Sequence, residues 1–200
     1  MELDLLGHHA DRAYPILSSL ITPRPIAWVS TLNDDGSVNL APFSYFNVFG
    51  SRPPLVIFAP GNRPDGSPKD SARNAEQTGE FTVNLVAPDQ TETMVATAES
   101  LPPGESEVEK LGLSTVPSSV VAPPRLADAP AALECRVHSV QRIGQNRIVL
   151  GIVHRVHVDD GIIDPESLRI RQDRHTPPGR MGSPDWYCRT DGLFELPRPE

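Results

Sequence analysis

Two stretches of the chain carry residue types at spacings that could do chemistry: PKDSARN, Pro68 to Asn74, and NLAPFSYFN, Asn39 to Asn47. The first reads as a short polar turn that opens a helix after a proline-rich loop. A helix N-terminus presents unpaired N–H groups and about half a positive charge. Lys69 adds a full charge there, and Ser71 and Asn74, three apart, share one helical face. Such an arrangement holds a phosphate. The other reading is that Asp70 or Ser71 caps an ordinary surface helix.

The second stretch has the look of a strand but carries Asn39, Pro42, Ser44 and Asn47 among its apolar residues. Pro42 has no N–H to give a ladder, so it predicts a break, a bulge or an exposed edge. A break would free the backbone groups of Ala41, Phe43 and Ser44 for a ligand. Asn39, Ser44, Ser30 and Thr31 supply further donors and acceptors, and Trp28, Phe43 and Phe46 supply flat apolar surface. That combination suits a heteroaromatic ligand; an edge strand with a bulge is the plainer alternative.

Acid–base and metal chemistry find less support. His154 and His157 stand three apart in LGIVHRVHV, which in a regular strand puts them on opposite faces and prevents both from chelating one metal. Cys135 and Cys188 are far apart, lack a zinc-like spacing, and read as reduced thiols. Cys135 falls in a predicted strand with no activating base, and no Ser/His/Asp or Cys/His constellation appears.

The elements that must position these residues are mostly strands. RPIAWVSTL and SVNLAPFSYF pair around Asp35 and Gly36, whose positive backbone angles suit a tight turn. PLVIFA and EFTVNLV follow, and ALECRVHSVQRI pairs with RIVLGIVHRVHV through Gly144, Gln145 and Asn146. In the last strand Ile148, Leu150, Ile152, Val156 and Val158 are expected on one face and Gly151 on the other. Short helices are expected at SARNAEQT, ended by Gly79, at DQTETMVATAES, at ESEVEKLG and at PESLRI. The fold class is therefore mainly β, an antiparallel barrel with short peripheral helices, because closure removes vulnerable sheet edges.

With 200 residues the chain is sized for one domain, residues 1–200. A net charge of -8 leaves no basic face for a nucleic-acid backbone. No apolar run approaches the roughly 20 residues of a membrane span, and MELDLLGHHADR is too charged for a secretory signal, so a cytoplasmic location is expected. The 22 prolines cluster in loops such as VAPPRLADAP and HTPPGRMGSP, which frame the barrel rather than link two domains.

The order RPIAWVST, DGSVNLAPFSYFN, PPLVIF, KDSARNAEQTGEFTVNLV, ALECRV, LGIVHRVHVDDGIID and GRMGSPDWYCRTDGLFELPRP resembles the flavin reductase-like family of FMN-binding split barrels. The resemblance covers Tyr14 to Pro199. It implies a six-stranded antiparallel Greek-key barrel, a homodimer, and FMN reduced by NADH or NADPH. It assigns Lys69, Ser71 and Asn74 to the phosphate, and Ser30, Thr31, Asn39, Ala41, Pro42, Phe43 and Ser44 to the isoalloxazine, with Trp28 a further cofactor-binding candidate. It makes His154 a candidate beside the nicotinamide, and brings Arg180, Met181 and Tyr187 toward the flavin. After Arg180, relatives tend to carry a Leu and two Gly where this chain has Met181, Gly182 and Ser183, and Ala75 replaces a larger aliphatic. The implied activities are a flavin reductase serving a monooxygenase or an FMN-bound electron carrier with a protein partner; a flavin-free barrel is the third reading.

Overall fold

The computed structural model describes residues 1–102 and 105–199. After a helix α1 (Ala13–Leu20) come strands β1 (Ala27–Leu32), β2 (Val38–Phe43), β3 (Phe46–Ser51) and β4 (Pro54–Phe58). Helix α2 (Asp70–Thr78) leads into β5 (Glu80–Asn84), and helices α3 (Thr91–Ala96) and α4 (Glu107–Leu111) follow. Two short strands, β6 (Thr115–Val116) and β7 (Arg125–Leu126), precede the long hairpin of β8 (Ala131–Ile143) and β9 (Asn146–Val158). The pair β10 (Gly179–Arg180) and β11 (Tyr187–Cys188) lies near the C-terminus.

Seven strands form one antiparallel sheet in the order β2-β1-β5-β8-β9-β4-β3. Laid flat, seven strands would hold the outer two about 29 Å apart. Yet only Ser44 and Tyr45 separate β2 from β3, which occupy the two edges, and that link spans at most about 11 Å. The sheet must therefore curl until its edges meet at this corner, giving a barrel split between β2 and β3. The strand expected over SVNLAPFSYF is β2 and stops at Phe43, with the break at Ser44 and Tyr45 rather than at Pro42; β3, which shares only Phe46 with that stretch, lies outside the expected strands and raises the count from six to seven.

The barrel interior is filled by Phe43, Phe58 and Phe81, whose ring centroids stand 5.4 and 5.0 Å apart, together with Val29, Val83, Cys135 and Val149. A second cluster of Ile26, Trp28, Leu40, Val86, Met94, Val108 and Leu126 packs the outer face under α3 and α4. Strand β1 feeds both, Ala27 and Val29 inward and Trp28 outward, so five of its six residues are buried. Gly151 also faces the interior, since a Cβ there would lie 2.4 Å from Phe81 Cζ. It is accordingly the face of Val149 and Gly151, not that of Ile148 and Leu150, which meets the core.

The turns follow their local chemistry. Gly36 takes φ 85° after Asp34 and Asp35, Gly144 takes φ 58° in the hairpin, and Gly79 takes φ 72° at the end of α2. PESLRI forms a turn rather than a helix: Asp164 Oδ1 accepts from the N–H groups of Glu166 and Ser167 at 3.1 and 2.8 Å, a local bond that competes with helix formation.

Two bulges break the alternation of the long hairpin. Glu134 pairs with Arg155 and Cys135 with Val153, which leaves His154 as the extra residue of β9; His138 is the corresponding extra residue of β8. The expected alternation cannot be carried through His154, so Ile152 and Val156 do not share a face. Among the described residues no helix is long and apolar enough to cross a membrane, and no group of three His, Cys, Asp or Glu could hold a metal ion.

Candidate functional site

The N-terminus of α2 stands against the free edge of β2. On β2, Leu40 N donates to Glu107 Oε2 at 2.9 Å and Val38 O accepts from Ser106 Oγ at 2.6 Å, so the backbones of Val38, Leu40 and Pro42 point outward, away from β1. The missing N–H of Pro42 therefore falls where no ladder partner exists, and the strand continues through it. Ala41 and Phe43 pair with Val29 and Ala27, which corrects the expectation that their backbone groups are free.

At α2 the expected side-chain cap is absent. Lys69 is the N-cap residue, in extended conformation, and neither Asp70 nor Ser71 caps the helix. Asp70 is drawn aside by two guanidinium groups, with Arg63 Nη2 2.5 Å from Oδ2 and Arg73 Nη1 2.5 Å from Oδ1, the latter close but out of line for a hydrogen bond. Among the described residues the N–H groups of Asp70 and Ser71 have no protein acceptor. Lys69 makes no ion pair; its Nζ lies 5.9 Å from the centroid of the Phe43 ring.

A buried polar network locks this helix to the barrel. Asn39 Nδ2 donates to Ser71 Oγ at 2.8 Å and to Thr31 Oγ1 at 3.1 Å. Asn74 Nδ2 donates to Thr31 Oγ1 at 3.2 Å and to Asn33 Oδ1 at 2.8 Å. Because Ser71 Oγ accepts from Asn39, its own proton remains to be donated elsewhere.

The result is a cleft of about 90 Å³ whose walls include Asn39, Ala41, Pro42, Phe43, Lys69 and Ser71, with Arg63, Asp70, Glu107 and the segment 97–101 completing it. Its volume suits a tetrahedral anion and is well below the roughly 300–1,000 Å³ of a pocket for a whole ligand. A ring system joined to that anion would have to lie outside, along Ala41 to Ser44. The donors fit a phosphate: one cation, two free N–H groups and one hydroxyl.

Six of the eleven residues singled out for cofactor binding thus converge on one cleft. The others lie elsewhere. Asn74 and Thr31 sit behind the cleft in the network just described. Trp28, 1% exposed, belongs to the outer core and its Nε1 donates to Thr97 Oγ1 at 2.8 Å. Ser30 Oγ donates to Pro124 O at 2.6 Å beneath the proline-rich loop. Ser44 accepts from Arg24 Nε at 3.3 Å and lines a separate, mostly apolar cavity of about 400 Å³ with Leu17, Ile21, Tyr45 and Phe46. Arg24 itself is spent on the carbonyls of Ser18, Ile21 and Met181, where it caps the C-terminal end of α1. His154 is exposed on its bulge, and Cys135 is a core residue whose thiol burial pushes well above the ordinary range.

Glu107 and Asn33 carry weight that the sequence reading missed. A signal for Glu107 existed in SEVE: Ser106 is an N-cap, accepting from Glu109 N at 3.3 Å, and fixes where α4 begins.

The fold and site are thus those of an antiparallel split barrel with a cleft of anion donors at the N-terminus of α2, beside the free edge of β2. The chain belongs to the flavin reductase like domain family, whose family model matches residues 18–176. It is 42% identical over 200 residues to an uncharacterized protein of Deinococcus radiodurans, covering 98% of this chain and 88% of that one. Its structure resembles that of 2-nitrobenzoate 2-nitroreductase from Pseudomonas fluorescens, with TM-score 0.90, 34% identity and coverage of 100% and 96% of the two chains. It also resembles nitrilotriacetate monooxygenase component B from Bacillus cereus, with TM-score 0.90, 29% identity and 98% coverage of both.

Proposed function

We propose that the protein binds FMN with its phosphate in the cleft at the start of α2, and serves as a flavin reductase that takes hydride from NADH or NADPH. The observation that carries this reading is the convergence of the unpaired Lys69, the free N–H groups of Asp70 and Ser71, and the edge residues Ala41 to Phe43 on one cleft. Bound FMN would supply the hydride-accepting chemistry. The chain's share is to bind and orient: Lys69 and the α2 N-terminus hold the phosphate, and the Asn39, Ser71, Thr31 and Asn74 network fixes its distance from β2. A fixed anchor of this kind converts phosphate affinity into ring placement.

Likeness to a monooxygenase component B supports a role supplying reduced flavin to an oxygenase, in the cytoplasm. An FMN-bound electron carrier reduced by a protein partner is the second reading. Purified protein should be yellow, and NADH or NADPH should bleach it anaerobically within seconds. A yellow protein bleached only by a reduced protein donor would establish the carrier instead, and a colourless one that takes up no FMN would sink both.

We also propose a homodimer. Tyr14, Leu20 and Ile21 of the α1 region and Val48 and Phe49 of β3 are large apolar residues more than half exposed, and Tyr14 lies 6.5 Å from Tyr45 at the barrel corner. Such a surface calls for a partner, and twofold pairing is the commonest closed solution. Light scattering should give twice the 21.8 kDa chain mass; a flavin-loaded monomer at micromolar concentration refutes it.

A further inference from the structure

The phosphate cleft contains a group that an anion site would be expected to avoid. Glu107 is 7% exposed, lines the cleft with Lys69 and Ser71, and accepts one protein hydrogen bond, from Leu40 N at 2.9 Å. That bond occupies Oε2 alone. Among the described residues no donor meets Oε1 and no cation pairs with the carboxyl.

Resting on the phosphate reading above, we propose that Glu107 makes flavin phosphate binding proton-coupled: carrying a proton, it donates a hydrogen bond into the cleft, and ionised, it repels the phosphate. The charged groups around it are few. From α2 it faces Lys69 and Asp70, and Asp70 is held by Arg63 and Arg73. From the segment 97–101 it faces Glu99, whose carboxylate is taken by Lys110 at 2.8 Å. Strand β2 offers no charged group, and α4 itself adds Glu109 and Lys110, which are exposed. Among the described residues Lys69 is thus the one cation of the cleft walls without a carboxylate partner.

The environment agrees with this geometry. Burial raises the affinity of the Glu107 carboxyl for its proton, the Leu40 and Glu107 N–H groups oppose that only in part, and the charge of Asp70 adds to the rise. A phosphate brought into the cleft acts in the same direction as Asp70. Free protein therefore gains a fraction of a proton when the phosphate binds, and affinity falls as pH rises above the free-state value, levelling off once the bound state also ionises.

The test is FMN affinity measured from about pH 5.5 to 8.5 for the parent and for E107Q, with riboflavin in parallel. Glutamine keeps an acceptor for Leu40 N and mimics the protonated carboxyl. The second ionisation of a phosphate monoester, near pH 6, is common to both proteins and cancels in the comparison. Toward the acid end the two curves should draw together. At the alkaline end E107Q should bind FMN about tenfold more tightly, since like charges in a partly buried cleft oppose each other by at least that factor. Riboflavin should give the same curve in both. Calorimetry in two buffers of different ionisation enthalpy should show more net proton uptake for the parent than for E107Q, the phosphate's own ionisation being common to both. Parallel FMN curves, with FMN still preferred over riboflavin, would overturn the role of Glu107 while leaving the phosphate site standing. Equal affinity of the parent for FMN and riboflavin would remove the site and this inference together.

Discussion

Glu134, within strand β8, and Glu107, at the start of α4, are both buried carboxylates of the same barrel, yet their surroundings differ in kind. Glu134 has no exposed surface and is met by Ser119 N at 2.7 Å, Val120 N at 2.6 Å and the His157 Nε2. Burial alone would raise its proton affinity; the Ser119, His157 and Val120 donors together outweigh burial and hold it below the ordinary glutamate range. Among the described residues Glu107 accepts from one other residue, Leu40 N, and pairs with no cation; that bond and its own N–H fall short of offsetting burial, and the shift is upward. The count of donors, rather than depth, decides which carboxylate is a settled ion and which is poised to take a proton. Glu134 ties the proline-rich segment 117–123 onto β8, whereas Glu107 faces an open cleft. One flank is built to hold and the other to bind.

The largest effect should come from breaking the settled pair. Replacing Glu134 with Ala takes the acceptor from the part-buried N–H groups of Ser119 and Val120 and from His157, a loss of about 3 kcal/mol in unfolding free energy. Because its folded proton affinity is depressed, Glu134 contributes this stability above the unfolded glutamate value, 4.5, and loses it as pH falls through the folded value. Denaturant melts at pH 7 and about pH 3.5 should therefore show the parent and E134Q drawing together in acid. FMN affinity should be untouched at neutral pH, since Glu134 lines no wall of the cleft. A mutant that melts like the parent would erase the contrast between the two flanks.

Next in size is the binding flank. Lys69 is exposed and makes no ion pair, so Lys69→Ala should leave the melting temperature within a degree or two of the parent. It removes a charge-assisted contact of about 1.5–3 kcal/mol, which is roughly ten- to a hundredfold in FMN affinity, with riboflavin unchanged. The reverse pattern, a lower melting point with unchanged FMN affinity, would make PKDSARN a structural helix and move the phosphate elsewhere.

The barrel was legible where the signal is local. Gly36, Gly79 and Gly144 each mark a turn that needs a positive φ, and the flanking apolar runs place β4, β5, β8 and β9 within two residues and β1 and β2 within three. What escaped was set by pairs of distant residues. Pro42 looked like a break because a ladder was assumed on both sides, but it lies on an edge, and the real corner at Ser44 and Tyr45 has no turn signature of its own. The bulge at His154 is a relation between two strands and leaves no trace in either. Asp70 looked like a cap until Arg63 and Arg73 were seen to claim it. Of the cleft, Lys69, Ser71 and the NLAPF strand were readable, while Glu107 enters through a bond to Leu40 that spans 67 positions of sequence.

Ser71 is where the two flanks' logics meet, and it should give the smallest effect on both. Its side chain is 1% exposed and accepts from Asn39 Nδ2 at 2.8 Å. Ser71→Ala takes one acceptor from that amide, which keeps Thr31 Oγ1 at 3.1 Å, so the loss in stability should be about 1 kcal/mol. Capping does not enter, because Lys69 holds the N-cap position. In binding, the hydroxyl proton is lost while the backbone N–H remains, again worth about 1 kcal/mol, or roughly fivefold in FMN affinity. The ordering carries the argument: Glu134→Ala moves stability alone, Lys69→Ala moves binding alone, and Ser71→Ala moves each by a little. Combining Ser71→Ala with Asn39→Ala separates the two contributions. If Ser71 acts on FMN only by holding Asn39 in place, the double variant should bind FMN no worse than Asn39→Ala alone. A further drop of about fivefold in the double variant would show the hydroxyl reaching the ligand itself.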